Sequence, residues 1–223
     1  MCPKEKILVS WSGGKDSVLS LYEILKDSKF EITALLTVLT EGYDRVSMHG
    51  IRRIILERQV ECLGYSLEKI FIPTNASDKE YESRMINTLQ KYMLHDVRST
   101  IFGDIFLEDV RKYREKNLSK MGMTASFPLW KKNTLQLANQ FIKLGFKSII
   151  TCTDSKKISK DFIGRIFNEE FLLDLPSNVD PMGENGEFHS FVYDGPLFRN
   201  KVQFELGDIV LRDGRFYFCD LIP

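Results

Sequence analysis

A glycine-rich segment near the amino terminus carries the residue types that bind phosphate. Lys15 follows two glycines in the sequence SGGKDS at positions 12–17, with hydroxyl side chains at both ends. Glycines can adopt positive φ and let a phosphate come close to the main chain, because they have no Cβ atom. Lys15 adds positive charge and the serines add donors. The segment, called the phosphate loop below, therefore predicts an anion site suited to nucleotide phosphates.

The spacing of this loop differs from that of Walker A, which has four residues between its first glycine and Gly-Lys-Ser/Thr. Here only a glycine pair precedes Lys15, and Asp16 stands where Walker A has a hydroxyl residue. The loop follows an apolar run, Ile7 to Val9, and precedes apolar residues at helical spacing. A simple glycine turn with a solvated lysine is the alternative. The order of strand, turn and helix favours a phosphate site at a helix N-terminus.

A second group of polar residues lies near the carboxyl terminus. The sequence GENG at 183–186 is typical of a turn, whose polar side chains can serve turn formation alone. If Glu187 to Tyr193 is a strand, Glu187 and His189 lie on one face, because side chains alternate. A carboxylate and an imidazole placed together can move a proton or hold a cationic or metal-bound substrate. Turn formation does not explain that pair, so we expect a second part of a site here.

Three further candidates lie in loops. Asp104 ends a predicted strand, where it could hold Mg²⁺ or a substrate amine, or cap the following helix. Arg45 and His49 fall close to Arg52 and Arg53 in sequence, where they could meet ATP phosphates or an acidic substrate. A solvated or capping role is the commoner one for such a histidine. These residues are therefore candidates for ligand contact, with ordinary loop roles as the alternative.

Strand-like and helical segments alternate over roughly the first 155 residues. This alternation predicts a doubly wound parallel α/β sheet with helices on both faces. Because ligands bind outside the carboxyl ends of such strands, Leu36 and Thr37 either border an adenine or ribose or are simply buried. One helix is expected to begin with Asp78 as its N-cap. The predicted strands lie near 7–9, 32–39, 67–73, 99–105, 123–130 and 147–152.

The tail of the chain has a different pattern. A predicted helix around 163–173 is followed by strand-like segments and a hairpin at Asp213-Gly214. We therefore expect a phosphate-binding domain over residues 1–155. A smaller α+β lobe over residues 156–223 would pack against the sheet and close the site.

Composition excludes several classes of protein. The chain has 223 residues, of which 43% are hydrophobic, which is enough for one domain or one domain with a small lobe. Its 31 basic and 31 acidic residues leave no net field that would favour nucleic acid or an anionic membrane. The four cysteines form no C-x-x-C pair, which argues against zinc and disulfides. No apolar run reaches the ~18 residues of a membrane span, so we expect a cytoplasmic protein.

The phosphate loop resembles the signature of the PP-loop ATP pyrophosphatases, which cleave ATP between its α and β phosphates and activate a substrate by adenylation. With later motifs, essentially the whole chain resembles the diphthine-ammonia ligase (diphthamide synthase) family of that superfamily. The resemblance implies an adenine nucleotide alpha hydrolase-like (HUP) fold. It also implies a reaction in which a carboxylate is adenylated and ammonia displaces AMP. The later motifs are Val46-Ser47-Met48-His49-Gly50, Gly103-Asp104-Ile105, Phe127-Pro128-Leu129-Trp130, residues 183–188 and Asp194-Gly195-Pro196.

The resemblance also implies roles for individual residues. ATP contacts fall on Ser10, Ser12, Gly13, Gly14, Lys15, Asp16, Ser17, Leu36, Thr37, His49 and Gly103, with Asp16 near Mg²⁺. The implied catalytic residues are Lys15, Asp104, Glu184, Glu187 and His189, and the implied substrate contacts are Asn185 and Arg45. The implied partners are ATP, ammonia and a substrate that bears a carboxylate. The protein could also form a homodimer.

One motif departs from the family pattern. Archaeal and eukaryotic enzymes that make diphthamide have a motif resembling GEGGEYET, whereas residues 183–190 are GENGEFHS. His189 replaces an acidic residue and Asn185 a glycine. This matches a branch, frequent in bacteria, that lacks the elongation-factor substrate and has been linked with corrinoid salvage. The acceptor is thus either protein diphthine or a small-molecule acid.

Two rival functions stay open at this point. A PP-loop enzyme of tRNA modification or sulfur transfer would usually carry paired cysteines or an added RNA-binding domain, and neither is visible. A sensor that holds ATP without chemistry is the rival of another class, and the polar residues at 184–189 argue against it.

Overall fold

The computed structural model describes residues 3–46 and 49–223, and strands and helices alternate along most of this length. The strands are β1 (Glu5–Ser10), β2 (Phe30–Thr40), β3 (Arg45–Val46), β4 (Leu67–Ile72), β5 (Ser99–Ile101), β6 (Thr124–Ser126), β7 (Lys147–Asp154), β8 (Phe188–Asp194), β9 (Glu205–Arg212) and β10 (Phe216–Ile222). The helices are α1 (Lys15–Leu25), α2 (Arg53–Leu63), α3 (Asp78–Met93), α4 (Glu108–Ser119), α5 (Thr134–Lys143) and α6 (Glu169–Asp174), with a 3₁₀ turn at Lys160–Phe162.

The first sheet confirms the predicted doubly wound α/β fold. Its parallel strands follow the order β4-β2-β1-β5-β6, and the short β3 pairs antiparallel with the end of β2. The apolar residues of β1, Ile7 to Val9, are fully buried, as expected for a strand covered on both faces. The phosphate loop leaves the carboxyl end of this central strand and leads into α1.

The second sheet is antiparallel, in the order β8-β7-β10-β9. Placing β7 last in the parallel series was wrong, because β7 pairs antiparallel with β8 and β10. The residues of β7 after Lys147 are all buried, and a continuously buried strand has the same apolar pattern in either kind of sheet. The division predicted at residue 155 thus falls directly after a strand whose partners both lie later in the chain.

Phenylalanines join the two sheets into one core. The rings of Phe167, Phe171 and Phe188 pack at centroid distances of 5.2 to 6.2 Å, in the range of favourable aromatic pairs. They belong to the same buried cluster as Val18 and Leu21 of α1. The cluster holds β8, which carries His189, against the helix that carries Lys15. A second cluster lies on the other face of the parallel sheet, under α3 and α4.

The structure tests several local predictions. The N-cap of α3 is Ser77, whose hydroxyl accepts from the amide of Glu80, so the cap predicted at Asp78 was wrong by one residue. The hairpin at Asp213-Gly214 is confirmed, and both residues have positive φ.

Cys62, Cys152 and Cys219 are free thiols. Cys2 lies outside the described residues. Across residues 3–46 and 49–223, no helix is long and apolar enough to cross a membrane.

Candidate active site

The phosphate loop has the geometry of an anion cradle. Gly13 has φ +79°, which favours glycine, and its carbonyl accepts from the amide of Val192 at 2.9 Å. The Ser17 hydroxyl donates to the Gly14 carbonyl at 2.9 Å, and the Gly14 amide donates to Ser12 Oγ at 3.2 Å. Gly14, the N-cap of α1, has no capping side chain, and the amide of Lys15 donates to Ser190 Oγ at 3.3 Å. The following amides of the first turn, which have no acceptor within the helix, are donors that an anion could use.

Lys15 is a buried cation. Only 2% of its surface is exposed, and its Nζ lies 3.1 Å from Asp16 Oδ2 and 5.0 Å from the centroid of the Phe188 ring. A buried charge is costly unless it is paired, so these contacts hold the ammonium where the loop ends. The side chain is thereby oriented before any ligand binds.

Asp16, Asp104 and Glu184 form a carboxylate cluster around Lys15. Burial raises the pKa of Glu184 to about 8, and the charge of Asp16 adds to this. Glu184 Oε2 accepts from the amide of Ile105 at 3.1 Å, which brings the turn near the carboxyl terminus beside the end of β5. Burial also raises the pKa of Asp16, and this outweighs the attraction of Lys15. The tertiary fold thus joins the two polar groups that the sequence separates by more than 160 residues.

Asp104 does not cap a helix. The N-cap of α4 is Leu107, whereas Asp104 Oδ2 lies 2.9 Å from Arg114 Nε. The alternative of a helix cap is therefore excluded. The neighbouring Gly103 packs against α1, since a Cβ there would lie 3.0 Å from the Asp16 carbonyl. Gly103 thus lets the carboxylate cluster close around Lys15.

His49 and His189 form an imidazole pair on another side of the loop. Their ring centroids lie 4.5 Å apart. Burial lowers the pKa of His189 to about 4, and the charge of Lys15 adds to this shift. Burial, His189 and Lys15 together lower the pKa of His49 well below its usual range. Both rings are therefore neutral at physiological pH. Ser47 and Met48 of the motif before His49 lie outside the described residues.

Glu187 organises the turn that carries Glu184. Its Oε1 accepts from the amide of Asp180 at 3.2 Å and from Asn185 Nδ2 at 3.0 Å, and only 3% of the residue is exposed. The Asp180 carboxylate accepts in turn from the amide of Glu184 at 3.2 Å. The strand begins at Phe188, so Glu187 stands just before it. The structure thus engages Glu187 and Asn185 with each other, and their predicted catalytic and substrate roles stay predictions.

Ser10 and Leu36 face each other across the first two strands, and Thr37 follows Leu36 within β2, three residues before that strand ends at Thr40. Ser10 ends β1 and pairs with Leu36 of β2, whose carbonyl accepts from the Trp11 amide at 2.7 Å. Thr37 is buried, and its hydroxyl has no hydrogen-bond partner within the described part of the chain. An orphan hydroxyl at this edge agrees with a ligand contact but does not test it. The predicted adenine or ribose contacts stay predictions.

Arg45 is held by the last strand. It donates to Asp220 Oδ1 at 2.8 Å, and Arg52 NH2 donates to Asp220 Oδ2 at 2.5 Å. Burial alone would raise the pKa of Asp220, but hydrogen bonds from Arg52 and Arg45 outweigh it and lower that pKa. Arg45 also donates to the Gly50 carbonyl at 2.7 Å. These bonds clamp the loop that carries His49 to β10, so Arg45 has a structural partner besides its predicted substrate role.

Replacing Asp220 with asparagine is expected to lower the free energy of unfolding by about 1 kcal/mol at neutral pH, a modest value because the clamp is partly solvated. The lowered pKa means that the clamp stabilises the fold above the unfolded-state pKa of about 4, and that this stability is lost as the pH falls below it. Chemical unfolding at several pH values measures the difference. Asp213→Asn, at an exposed hairpin position where asparagine tolerates positive φ, is the matched control. An equal loss in both variants would contradict the clamp.

Gln59 is a central residue that sequence reasoning missed. It is fully buried in α2, and its Oε1 accepts from Trp11 Nε1 at 2.9 Å. Its Nε2 donates to the carbonyls of Gly13, at 2.9 Å, and Val192, at 2.5 Å. One amide therefore ties the phosphate loop to β8. A polar residue inside the apolar pattern Ile55, Leu56, Val60 was the available signal.

Gln59→Leu is expected to lower the free energy of unfolding by about 2–4 kcal/mol, because it leaves several buried polar groups unpaired. Thermal or denaturant unfolding measures this. Gln136→Leu, on the exposed face of α5, should change stability by less than about 0.5 kcal/mol. Equal stabilities of the two variants would show that Gln59 does not hold the loop and β8 together.

Two family models match the chain in succession. Residues 5–125 match the model described as the diphthamide synthase N-terminal domain, and residues 133–217 match the diphthamide synthase C-terminal domain. Curated relatives named diphthine–ammonia ligase are 27% identical in Rattus norvegicus and 24% identical in Mus musculus. Each of these alignments covers 90% of this chain and 83% of the relative. A third, from Schizosaccharomyces pombe, is 25% identical over 88% of this chain, which spans only 36% of the yeast protein.

Proposed function

This chain belongs to the diphthamide synthase family, and we propose that it is an ATP-dependent amide ligase that forms AMP and pyrophosphate. It would adenylate a substrate carboxylate and then amidate it with ammonia. The observation that carries the proposal is the meeting of the phosphate loop with Glu184, whose pKa of about 8 suits a base acting near neutral pH. A ligase of this kind needs an activating part and a part that handles the nucleophile. Relatives named diphthine–ammonia ligase support the same class of reaction.

The phosphate loop fits ATP and Mg²⁺ in chemistry. Its helix N-terminus and the buried Lys15 suit phosphate oxygens. Asp16 Oδ1 is buried and has no hydrogen-bond partner among the residues described, which suits a cation ligand. Where the structure describes the chain, no group of three or more His, Cys, Asp or Glu forms a metal site. Mg²⁺ needs no such group, since it is commonly held by one or two carboxylates together with substrate phosphates, and its bound charge would neutralise those phosphates.

The chain's own residues divide the work of the first step. The loop amides and the hydroxyl of Ser12 would bind and orient the ATP phosphates. Ser17, whose hydroxyl donates to the Gly14 carbonyl, would hold the loop in its binding conformation, which differs from the direct ATP contact predicted from the sequence. Lys15 would stabilise the negative charge that develops as the substrate carboxylate attacks the α-phosphate and pyrophosphate leaves. Because Lys15 is already held by Asp16 and Phe188, little reorganisation is needed when the charge develops. The product of this step is an acyl-adenylate.

The second step needs a base beside Lys15. The nitrogen lone pair of ammonia forms a bond to the acyl carbon, the bond from that carbon to the AMP oxygen breaks, and AMP leaves with the electron pair. One N–H proton must be lost, and ionised Glu184 would accept it. Lys15 and the amide of Ile105 favour the ionised form of Glu184, whereas Asp16 and Asp104 oppose it. The net rise in the pKa of Glu184 supports it as the proton acceptor of the proposed second step.

Two acids are candidates for the carboxylate acceptor. The relatives are named diphthine–ammonia ligase, which makes protein diphthine the first candidate. His189, at a position where the diphthamide-making enzymes have an acidic residue, favours a different acid, and a corrinoid-related small molecule is the second candidate. We propose amide formation as the common chemistry. The two candidates differ in the acid presented to the same phosphate loop.

The test is product analysis. The protein, ATP, Mg²⁺ and ammonium chloride are incubated with a diphthine-bearing protein or with a panel of carboxylic and corrinoid acids, and nucleotides are separated by chromatography. AMP and pyrophosphate that depend on one acid, with an amide formed in equal amount, are expected. ADP as the product would contradict the proposal. ATP binding without AMP for every acid would favour a sensor that holds ATP without chemistry.

A further inference from the structure

Strand β9 is an exposed edge of the antiparallel sheet. It stands last in the order β8-β7-β10-β9, and within the described residues it pairs only with β10. Every residue of the strand except Gly207 is exposed, and the exposed fractions of Ile209, Val210 and Leu211 are 53%, 38% and 49%. These three apolar residues are consecutive, so they cover both faces of the strand. An edge of this kind is a template for pairing with another strand.

The hairpin determines which main-chain groups of β9 point away from β10. The carbonyl of Arg212 accepts from the Arg215 amide at 2.9 Å, and Arg212 pairs with the start of β10. Because the two directions alternate along an antiparallel strand, Arg212 and Val210 direct their N–H and C=O groups towards β10. Ile209 and Leu211 therefore direct theirs outward. The pairing with β10 is regular over these four residues of β9.

A second copy of β9 fits this edge in a self-complementary register. In a symmetric antiparallel pair, a two-fold axis perpendicular to the sheet relates the strands, so residues that face each other lie on the same side of the sheet. An axis at Val210 places Asp208 opposite Arg212 of the second copy, on both sides of the axis. Ile209 then lies opposite Leu211, with the outward main-chain groups of both residues in register. Apolar pairs and opposite charges stabilise such positions.

Neighbouring positions of the axis are less favourable. An axis at Asp208 would bring two like charges together, which is destabilising. An axis at Ile209 or Leu211 would place a charged side chain opposite Val210. In the part of the chain that the structure describes, neither Asp208 nor Arg212 forms an ion pair, and both are exposed. Both charges are thus available to a second copy.

We propose that β9 is the interface of a homodimer, in which two copies pair antiparallel about Val210 and join their four-stranded sheets into one of eight strands. Ile209 of each copy exchanges main-chain hydrogen bonds with Leu211 of the other. The two Val210 side chains meet at the axis, and the contacts between Asp208 and Arg212 fix the register. A single strand buries less than the about 1,600 Å² of a standard interface, so the dimer dissociates on dilution. This inference does not depend on the proposed ligase activity.

Sedimentation of the whole chain over a range of concentrations measures the association, and a monomer–dimer equilibrium is expected. Val210→Lys brings two like charges together at the axis and should raise the dissociation constant by about tenfold. Leu173→Lys, at an 84% exposed leucine of α6, is the matched control and should leave the equilibrium unchanged. A monomer at every concentration, aggregates larger than dimers, or an equal effect of the two variants would overturn the proposal.

Charge reversal tests the register. Asp208→Arg alone and Arg212→Asp alone each place like charges opposite each other twice, so each should weaken the dimer by about tenfold. The double variant restores opposite charges in the exchanged sense, and its dissociation constant should return to within about threefold of that of the unaltered chain. General apolar adhesion would give no such recovery. A double variant as weak as either single variant would show that the strands do not pair about Val210.

A cross-link tests the position of the axis. Two Val210 residues would face each other without main-chain hydrogen bonds between them, where Cα atoms lie about 4.5 Å apart, within the range of a disulfide. Val210→Cys should therefore form disulfide-linked dimers under mild oxidation. Ile209→Cys should form few, because its Cα atoms would be about 8 Å apart. The unaltered chain controls for its own thiols, and equal cross-linking of the two variants would contradict the proposed pairing.

Discussion

Lys15→Ala is expected to lower acid-dependent AMP formation by about 100- to 1000-fold, the usual cost of removing one preorganised group that stabilises transition-state charge. The physical reason is the placement of its ammonium, since the Lys15 side chain is only 2% exposed and is paired with Asp16. The attraction between such a buried charge and the developing negative charge is stronger than it would be in water. Chromatographic separation of AMP from ATP over time measures the rate, and calorimetry with ATP measures binding.

Loss of Lys15 also leaves Asp16 without its partner, so stability must be measured alongside activity. Unfolding curves of the variant separate a folded, inactive protein from an unfolded one. Lys26→Ala, at the exposed end of the same helix, is the matched control and should keep its activity. A folded Lys15→Ala protein that forms AMP within tenfold of the unaltered chain would show that the loop is not the activating site.

Glu184→Gln should slow amide formation by about 100- to 10,000-fold, the range for loss of a positioned general base. Glutamine keeps an oxygen that can accept from the Ile105 amide, so the turn should stay in place. Acid-dependent pyrophosphate exchange should be affected far less, since it precedes proton loss from the nucleophile. The ratio of exchange to amide formation is therefore the measurement. An equal loss in both reactions would assign Glu184 to activation instead.

The pKa of Glu184 also predicts a pH profile. A base with a pKa of about 8 is mostly protonated at pH 7, so the rate should rise with pH and level off above about pH 8. Ammonium also loses its proton in the alkaline range. Hydroxylamine, which is largely unprotonated at neutral pH, serves as the nucleophile that removes this second effect. The rise with hydroxylamine should disappear in Glu184→Gln and persist in Glu205→Gln, an exposed residue of β9.

Glu187 provides a contrast with Glu184 within one turn. Its carboxylate is engaged by the amide of Asp180 and the side chain of Asn185, so its role in the proposed mechanism is to hold Glu184 in place. Glu187→Gln should therefore keep the rise of rate with pH, whatever it does to the plateau. Loss of that rise would restore Glu187 to the role of proton acceptor that its sequence position first indicated.

Much of the fold, and the local geometry of the phosphate loop, could be predicted from local sequence. The run Ile7 to Val9 predicted a doubly buried strand, and the glycine pair before Lys15 predicted a phosphate cradle at a helix start. Both depend on interactions within about twenty residues, where chain geometry leaves few choices. The hairpin at Asp213-Gly214 is of the same kind, since positive φ at both positions is a local property.

What the tertiary structure decided depends on contacts between distant segments. The sequence could not assign β7 to a sheet, because a buried strand carries no mark of its partners. Nor could it identify Gln59 as a central residue, because the carbonyls that its side chain bonds belong to residues 46 and 133 positions away along the chain. The raised pKa of Glu184 and the lowered pKa of His189 arise from burial against other segments, and burial is a property of the assembled fold. The sequence by itself indicated where a phosphate site is expected, because a strand, a glycine turn and a helix start are local features. The tertiary structure decided which side chains surround that loop, because burial and long-range contacts exist only in the assembled fold.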